Sequence, residues 1–427
     1  MFESLLNAFR APDIRRRLLY VLGILIVFRF LAHVPVPGVD QAKLGQYLSN
    51  NALFSVLDLL SGGGLSSFSV VALGVNPYIN ASIIMQLMTG VIPSLQALSR
   101  EGEYGRQRLN QYTPYLTVPM ALLQAFGILS ALNAKSVIIG SDFGLGNPTS
   151  WVQMVTLTAG AVLLMWLGEL ITEKGIGNGI SFIIFAGIVS RAPAGVVGVL
   201  SQPSPRDIVL FVILAIVAVA VIIYIQEGQR GIPIQYASRV RGRRMYQGGQ
   251  TFLPLRVNLA GVIPIIFAIS ILAFPGQLAA YFSFSEVEAV RNIALAIGNF
   301  LSPTTIQYSI IYFALTVGFT YFYTAFTFKP DETAEQLRKN GGFIPGIRPG
   351  RPTQEYLGRV VSRITLAGAL FLGTVAVFPV LLGVFDPSLQ GLAIGGTGLL
   401  IVVSVVVETM KQIEAQLMMR NYEGFIR

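Results

Sequence analysis

Residues 69–90 read SVVALGVNPYINASIIMQLMTG, a block without a single charged side chain. As a helix it is long enough to cross a bilayer. Its entry is irregular, because Gly74-Val75-Asn76-Pro77 places a proline where a helix needs its donors and disfavours α geometry at Asn76. Immediately before it, residues 60–69 read LSGGGLSSFS. That segment is too polar and too glycine-rich to span lipid alone. Backbone broken at membrane depth persists only inside protein or beside a watery cavity. The stretch therefore predicts a membrane protein with an interior of its own, in which the second span is broken.

The rest of the chain agrees. It has 427 residues, 53% hydrophobic and 12% charged, about half the charge usual for a soluble protein. Apolar blocks fall at about 18–36, 69–90, 114–133, 152–171, 179–199, 208–226, 257–275, 307–327, 363–384 and 391–410. If the chain crosses at each of these ten blocks, 24 of its 30 lysines and arginines fall on the side of both termini, five fall opposite, and Arg29 lies within the first block. That asymmetry supports the span count and predicts cytoplasmic termini, and it accounts for the net charge of +9 without nucleic-acid binding. No small-residue cleavage site follows a short apolar core near the start, so no cleavable leader is expected. Residues 2–9, FESLLNAF, have the apolar spacing of a surface-lying helix. The seventh block carries Pro264 and Pro275 and is expected to bend.

Chemistry is harder to find. The chain contains no cysteine, and His33 is its only histidine. This removes disulfides, thiolate nucleophiles and His-rich metal sites. Glu169 and Glu408 lie near block ends, Asp58 precedes the broken block, and Arg29 and His33 read as polar contacts or snorkelling groups. Gly175-Ile-Gly-Asn-Gly179 lies between two blocks and reads as a tight turn, not a nucleotide site. Neither an enzyme nor a cofactor is expected, and the pattern argues for a passive pathway. A secondary transporter is the rival reading, since broken helices serve that class too. It needs buried acids and a compact midplane site, and the blocks offer neither.

Two segments of about thirty residues, 227–256 and 328–357, join blocks on the basic side. Topology requires a few positive charges there, not two long projections, and loops of such length tend to be functional. Ile232 to Ala237 and Thr251 to Val257 predict a protruding hairpin. Asp331 to Asn340 predicts a short helix stopped by Gly341-Gly342, followed by a rigid basic loop, PGIRPGRP.

Four motifs in order resemble a known family. Val71 to Met88 is similar to the signature of SecY, the channel subunit family of bacterial protein-conducting translocons. So are Glu173 to Ser181, Ile232 to Ala237 and Phe343 to Gly350. The resemblance implies an all-α polytopic membrane protein with ten transmembrane helices in two inverted pseudo-symmetric halves, 1–200 and 201–427. These close as a clamshell around an hourglass pore, and the second and seventh spans form a lateral gate to lipid. It implies no catalytic activity, and partners comprising SecE, SecG, the SecA motor ATPase, the ribosome, signal peptides with their preproteins, and the lipid bilayer. The expected location is the bacterial cytoplasmic (inner) membrane.

The resemblance also assigns roles. A constriction ring is implied at Ile79, Ile83, Ile184, Ile188, Ile266 and Ile401. Branched apolar side chains dewet when the pore is empty and yield around a chain of any sequence; plain core packing is the competing reading of such isoleucines. A plug, a short re-entrant helix over about 61–72, is implied for Ser61, Gly62, Gly63, Gly64, Leu65, Ser66, Ser67 and Phe68. Its three glycines each weaken a helix by roughly 1 kcal/mol relative to alanine, which suits a gate held only marginally. Docking of motor or ribosome is implied at Arg241, Arg243, Arg244, Arg348 and Arg351.

Overall fold

The structure, a computed structural model, describes the chain apart from residues 1–9, 50–57, 59–60, 134–136, 139–142, 145, 201–204, 237–238, 242–243, 247–248, 284–286, 304, 386–389 and 427. The surface helix expected at 2–9 lies outside the described residues. Every one of the ten apolar blocks carries a helix. These are α1 Pro12–Leu31, α3 Asn76–Val91, α5 Glu103–Asn133, α6 Pro148–Lys174, α7 Gly179–Leu200, α8 Pro205–Glu227, α9 Ile263–Phe282, α11 Ile306–Thr327, α13 Arg351–Phe385 and α14 Gln390–Ile426. Shorter helices join them: α2 Gln41–Ser49, α4 Pro93–Arg100, α10 Glu288–Phe300 and α12 Pro330–Lys339. By length and hydropathy alone, four of the described helices suffice to cross a membrane. A fifth qualifies if α3 and α4, bent by 100° at Ile92, count as one.

Successive helices pack on one another in two runs: α3 on α5, α5 on α6 and α6 on α7, then α9 on α11, α11 on α13 and α13 on α14. Across these runs α9 lies against α3 and α5, and α14 lies against α7; α14 also packs on α8.

Helix limits depart from the apolar blocks where polar residues continue a helix outside the apolar zone. α13 begins at Arg351 and α14 runs to Ile426, because each extension buries an apolar stripe, Leu357, Val360 and Val361 on the first and Met410 and Ile413 on the second. Ile413 on that extension joins Ala11, Ile14 and Ile176 in a small apolar cluster. Lys411 pairs with Glu227 at 2.9 Å. Segments that the charge pattern assigns to one side thus meet one another. At the other end, Val36 N–H donates to the Phe68 carbonyl and Val70 N–H to the Val34 carbonyl, at 2.8 and 2.9 Å.

Pro264 does not bend the seventh span. The helix starts at Ile263, so the proline falls in the first turn, where no intrahelical donor is needed. Pro275 lies inside α9, which continues past it to Phe282. The 175–179 loop is a tight turn: Gly177 has φ +84°, and Thr172 Oγ1 accepts from Gly179 N–H at 2.9 Å. A Cβ on Gly179 would stand 1.8 Å from the Gly168 carbonyl oxygen, so the turn closes only with glycine.

Candidate functional site

Four helices far apart in sequence bring the six isoleucines together. Ile79 and Ile83 come from α3, Ile184 and Ile188 from α7, Ile266 from α9 and Ile401 from α14; all belong to one apolar cluster. Each is at most 7% exposed. The four-residue spacing within each pair puts both side chains on one face of their helix. The cluster's buried members are aliphatic or aromatic, and the hydroxyls of Tyr308 and Tyr312 are the polar side-chain groups among them.

Next to this cluster sits the glycine-rich segment. Residues 61–68 form consecutive hydrogen-bonded turns, not the regular re-entrant helix expected. Gly62 and Gly63 adopt φ +69° and +86°, and Phe68 φ +42°, which interrupt right-handed helix. The glycines answer a second demand. A Cβ on Gly62 would lie 2.6 Å from the Gly187 Cα of α7, one residue before Ile188, and a Cβ on Gly63 would lie 3.1 Å from Arg191 Nε. Leu65 and Phe68 are buried, but in a separate apolar cluster with Leu44, Leu73 and Leu129.

The strongest polar contacts of the segment were not legible in the sequence. Asp58, 3% exposed, forms an ion pair with Arg191 of α7. Its Oδ1 also accepts from Ser66 N–H at 2.8 Å, and Arg191 Nη2 donates to Ser66 Oγ at 2.6 Å. Arg29 of α1 donates to the Gly62 carbonyl and to Ser190 Oγ, both at 2.9 Å. His33 Nδ1 caps the Arg29 carbonyl at 2.7 Å. Arg29 thus makes a tertiary polar contact. Arg191 falls near the far end of the fifth block and counts there as one of the five charges opposite the termini, so nothing in the sequence marks the pair.

The two long basic-side segments fold as one platform. β1 Gln229–Tyr236 pairs antiparallel with β4 Gln250–Arg256. β5 Gly342–Phe343, from the other segment, adds to the free edge of β1 through Gln235↔Phe343 and Tyr236↔Gly342. A shared core of Ile232, Ile234, Leu255, Leu337, Ile344 and Leu357 lies beneath. On α12 a hydrogen bond from Arg338 holds Glu335 below the usual carboxylate range.

The five arginines expected to dock a partner separate. Arg348 is exposed in a turn between Gly346 and Gly350, which have φ +79° and +104°; Thr353 Oγ1 donates to its carbonyl at 2.9 Å. Arg351 is exposed at the start of α13 and pairs with Glu355 at 3.2 Å. Arg241 and Arg244 face each other in register at the tip of the hairpin, on β2 Arg239–Arg241 and β3 Arg244–Tyr246. Arg243 lies outside the described residues.

The sequence profile of the SecY family matches residues 69–410, four-fifths of the chain. The chain belongs to the SecY family. Among its SecY relatives, the protein translocase subunit SecY of Corynebacterium glutamicum is 43% identical over 444 residues, and that of Streptomyces coelicolor 43% over 441. Both alignments cover the whole of each chain. SecY-type folds appear among solved structures too. One described as a protein-conducting channel aligns with TM-score 0.63 and 18% identity, covering 93% of this chain and 91% of that one. Sec61 in the canine ribosome–channel complex aligns with TM-score 0.61 at 18% identity and the same coverage. A third, with TM-score 0.64 and 19% identity over 93% and 91%, is described as SecY whose plug domain stabilises the closed state and maintains a membrane seal.

Proposed function

We propose that this chain is the channel-forming subunit of a bacterial protein translocase, caught closed. It moves unfolded preproteins across the cytoplasmic membrane and releases apolar segments sideways into lipid. The observation that carries the reading is the convergence of Ile79, Ile83, Ile184, Ile188, Ile266 and Ile401 in one buried apolar cluster, with the glycine-rich segment seated against Gly187 beside it. A ring without charge or hydrogen-bonding groups cannot bind any one passing sequence tightly, yet it dewets when empty. The contact of α9 with α3 is then the lateral gate between the halves 1–200 and 201–427. Ten helices span, and both termini and the platform face the cytoplasm. There Arg348, Arg351, Arg241, Arg243 and Arg244 meet the SecA motor or the ribosome. Arginine suits either partner, because its planar fork pairs carboxylate or phosphate bidentately. SecE and SecG complete the channel.

The test is reconstitution. In proteoliposomes with SecE and SecG, added SecA and ATP should drive a signal-bearing precursor into a protease-protected state. Absence of protection with active motor, or transport of a small solute driven by an ion gradient, would overturn the reading.

A further inference from the structure

We propose that Asp58 and Arg191 form the latch that sets how readily the glycine-rich segment leaves its seat, with Arg29 as a second clamp. The inference rests on reading residues 61–72 as a plug. It adds which contacts hold the plug shut and which end moves.

The two ends of the segment are held differently. At its C-terminal end the backbone is pinned to the loop after α1, through the Val36–Phe68 and Val70–Val34 hydrogen bonds and the Pro35↔Ser69 bridge. Nothing there depends on charge. At the other end Gly62 packs on Gly187, and the polar contacts to the surrounding helices, among the described residues, are those of the two arginines, Arg191 on Asp58 and Ser66, and Arg29 on the Gly62 carbonyl. Beside the pinned end the Ser67 hydroxyl also donates to the Ala32 carbonyl just after α1, at 2.8 Å; the other bonds among the described residues are internal. Gly63 N–H and Ser61 Oγ donate to the Asp58 carbonyl, Ser66 N–H to its carboxylate, and Ser66 and Ser67 hydroxyls to the Gly63 carbonyl. Such a segment keeps its own hydrogen bonds when it moves. It can swing out as a body about the pinned 68–70 end, and the Asp58–Arg191 pair is the charged contact that must break.

Chemistry makes that pair a threshold. The Asp58 side chain is only 4% exposed, whereas Arg191 is 35% exposed. While the segment is seated, the carboxylate depends on Arg191 and Ser66; a buried charge that loses its partner is strongly unfavourable. Once the segment moves, water reaches both groups and replaces the lost contact. The pair therefore resists the first part of the motion and not the rest, which is how a latch differs from a spring. A precursor whose signal binds strongly overcomes it; one with a defective signal does not. Arg191 and Arg29 act through the segment and touch no substrate in the closed state, so they are positioning residues.

The experiment uses the full chain with SecE and SecG in planar bilayers and in proteoliposomes. The variants are Asp58→Asn, Arg191→Gln, the two combined, Arg191→Lys, and deletion of residues 61–72. Two readouts are taken at matched protein level: resting ion conductance, and translocation of a precursor with a defective signal. Each neutral variant should raise both by about tenfold or more, the cost of opening having fallen by part of a buried ion pair. The combined variant should go no further than the larger single effect, since one contact is lost once. Arg191→Lys should stay near wild type. Effects that multiply in the combined variant, or wild-type values in both single variants, overturn the latch. So does loss of normal translocation without any gain of leak, the mark of a merely structural pair. If deletion raises conductance while the point variants do not, the latch alone falls; if deletion also leaves conductance unchanged, the plug reading falls with it.

Discussion

Truncating Leu357 to alanine tests whether the two basic segments work as one body. Leu357 sits near the start of α13 with no exposed surface and packs under the sheet formed by β4, β1 and β5. Removing a fully buried leucine side chain down to its Cβ costs about 2–5 kcal/mol, transfer and cavity together. Among the described residues the platform core has ten buried members, so that loss is a large share of what holds hairpin, α12 and α13 together, while the membrane-embedded clusters are untouched. Amide exchange in β1 and β4, at Ile232 and Leu253 for example, should accelerate by about thirtyfold or more, because opening of the platform alone then limits exchange. SecA-driven translocation should fall in parallel, with protein level unchanged. Exchange that speeds up in α12 but stays at wild type in the hairpin would refute the shared core and return the two segments to independent loops.

Arg348→Glu should abolish motor-driven translocation while leaving the chain inserted, because the turn between Gly346 and Gly350 displays that side chain to solvent; normal protection of a precursor would remove Arg348 from docking. The chain has no cysteine, so a membrane-impermeant thiol reagent applied to intact cells should modify Ala289→Cys and spare Glu355→Cys, and the reverse pattern would invert the topology. Gly160→Ala should destabilise by about 1–3 kcal/mol in thermal unfolding, since the new Cβ would sit 1.9 Å from the Val70 carbonyl oxygen. Gly90→Ala, with nothing within 4 Å, should be neutral or slightly stabilising; equal effects at the two positions would mean that α6 does not press on the segment before the broken span.

Much of this architecture is written locally. Block length and the Lys and Arg asymmetry locate the helices, because lipid demands long uncharged helices wherever the chain crosses. The hairpin and α12 are likewise visible, through alternation in IPIQY and the Gly341-Gly342 stop, where Gly341 does adopt φ +71°. What escaped is what depends on distant partners. β5 is two residues long and pairs with β1 across more than a hundred positions, too short for any periodic signal. Asp58 precedes the broken span and Arg191 lies on α7, and no spacing rule joins them. The three glycines are legible as helix-weakening, but the left-handed backbone of Gly62 and Gly63 and the contact of Gly62 with Gly187 exist only in the packed state. The six isoleucines were assigned by resemblance; periodicity alone would have read them as core, and their joint burial in one cluster is what a ring and a core share.

Conductance separates those two readings most directly. Planar bilayers should be compared for wild type, Ile401→Asn, the 61–72 deletion and the double variant, each with SecE and SecG at matched protein level. Ile401 is 1% exposed within the cluster. A polar amide there wets the constriction, so leak should rise modestly in each single variant. In the double variant it should rise by more than the sum of the two, because two barriers in series are removed together. If instead Ile401 is only packing, the buried amide destabilises the bundle by about 1–3 kcal/mol, lowering yield and translocation with no gain of current. Unchanged conductance in the double variant, with protein level intact, would contradict the ring.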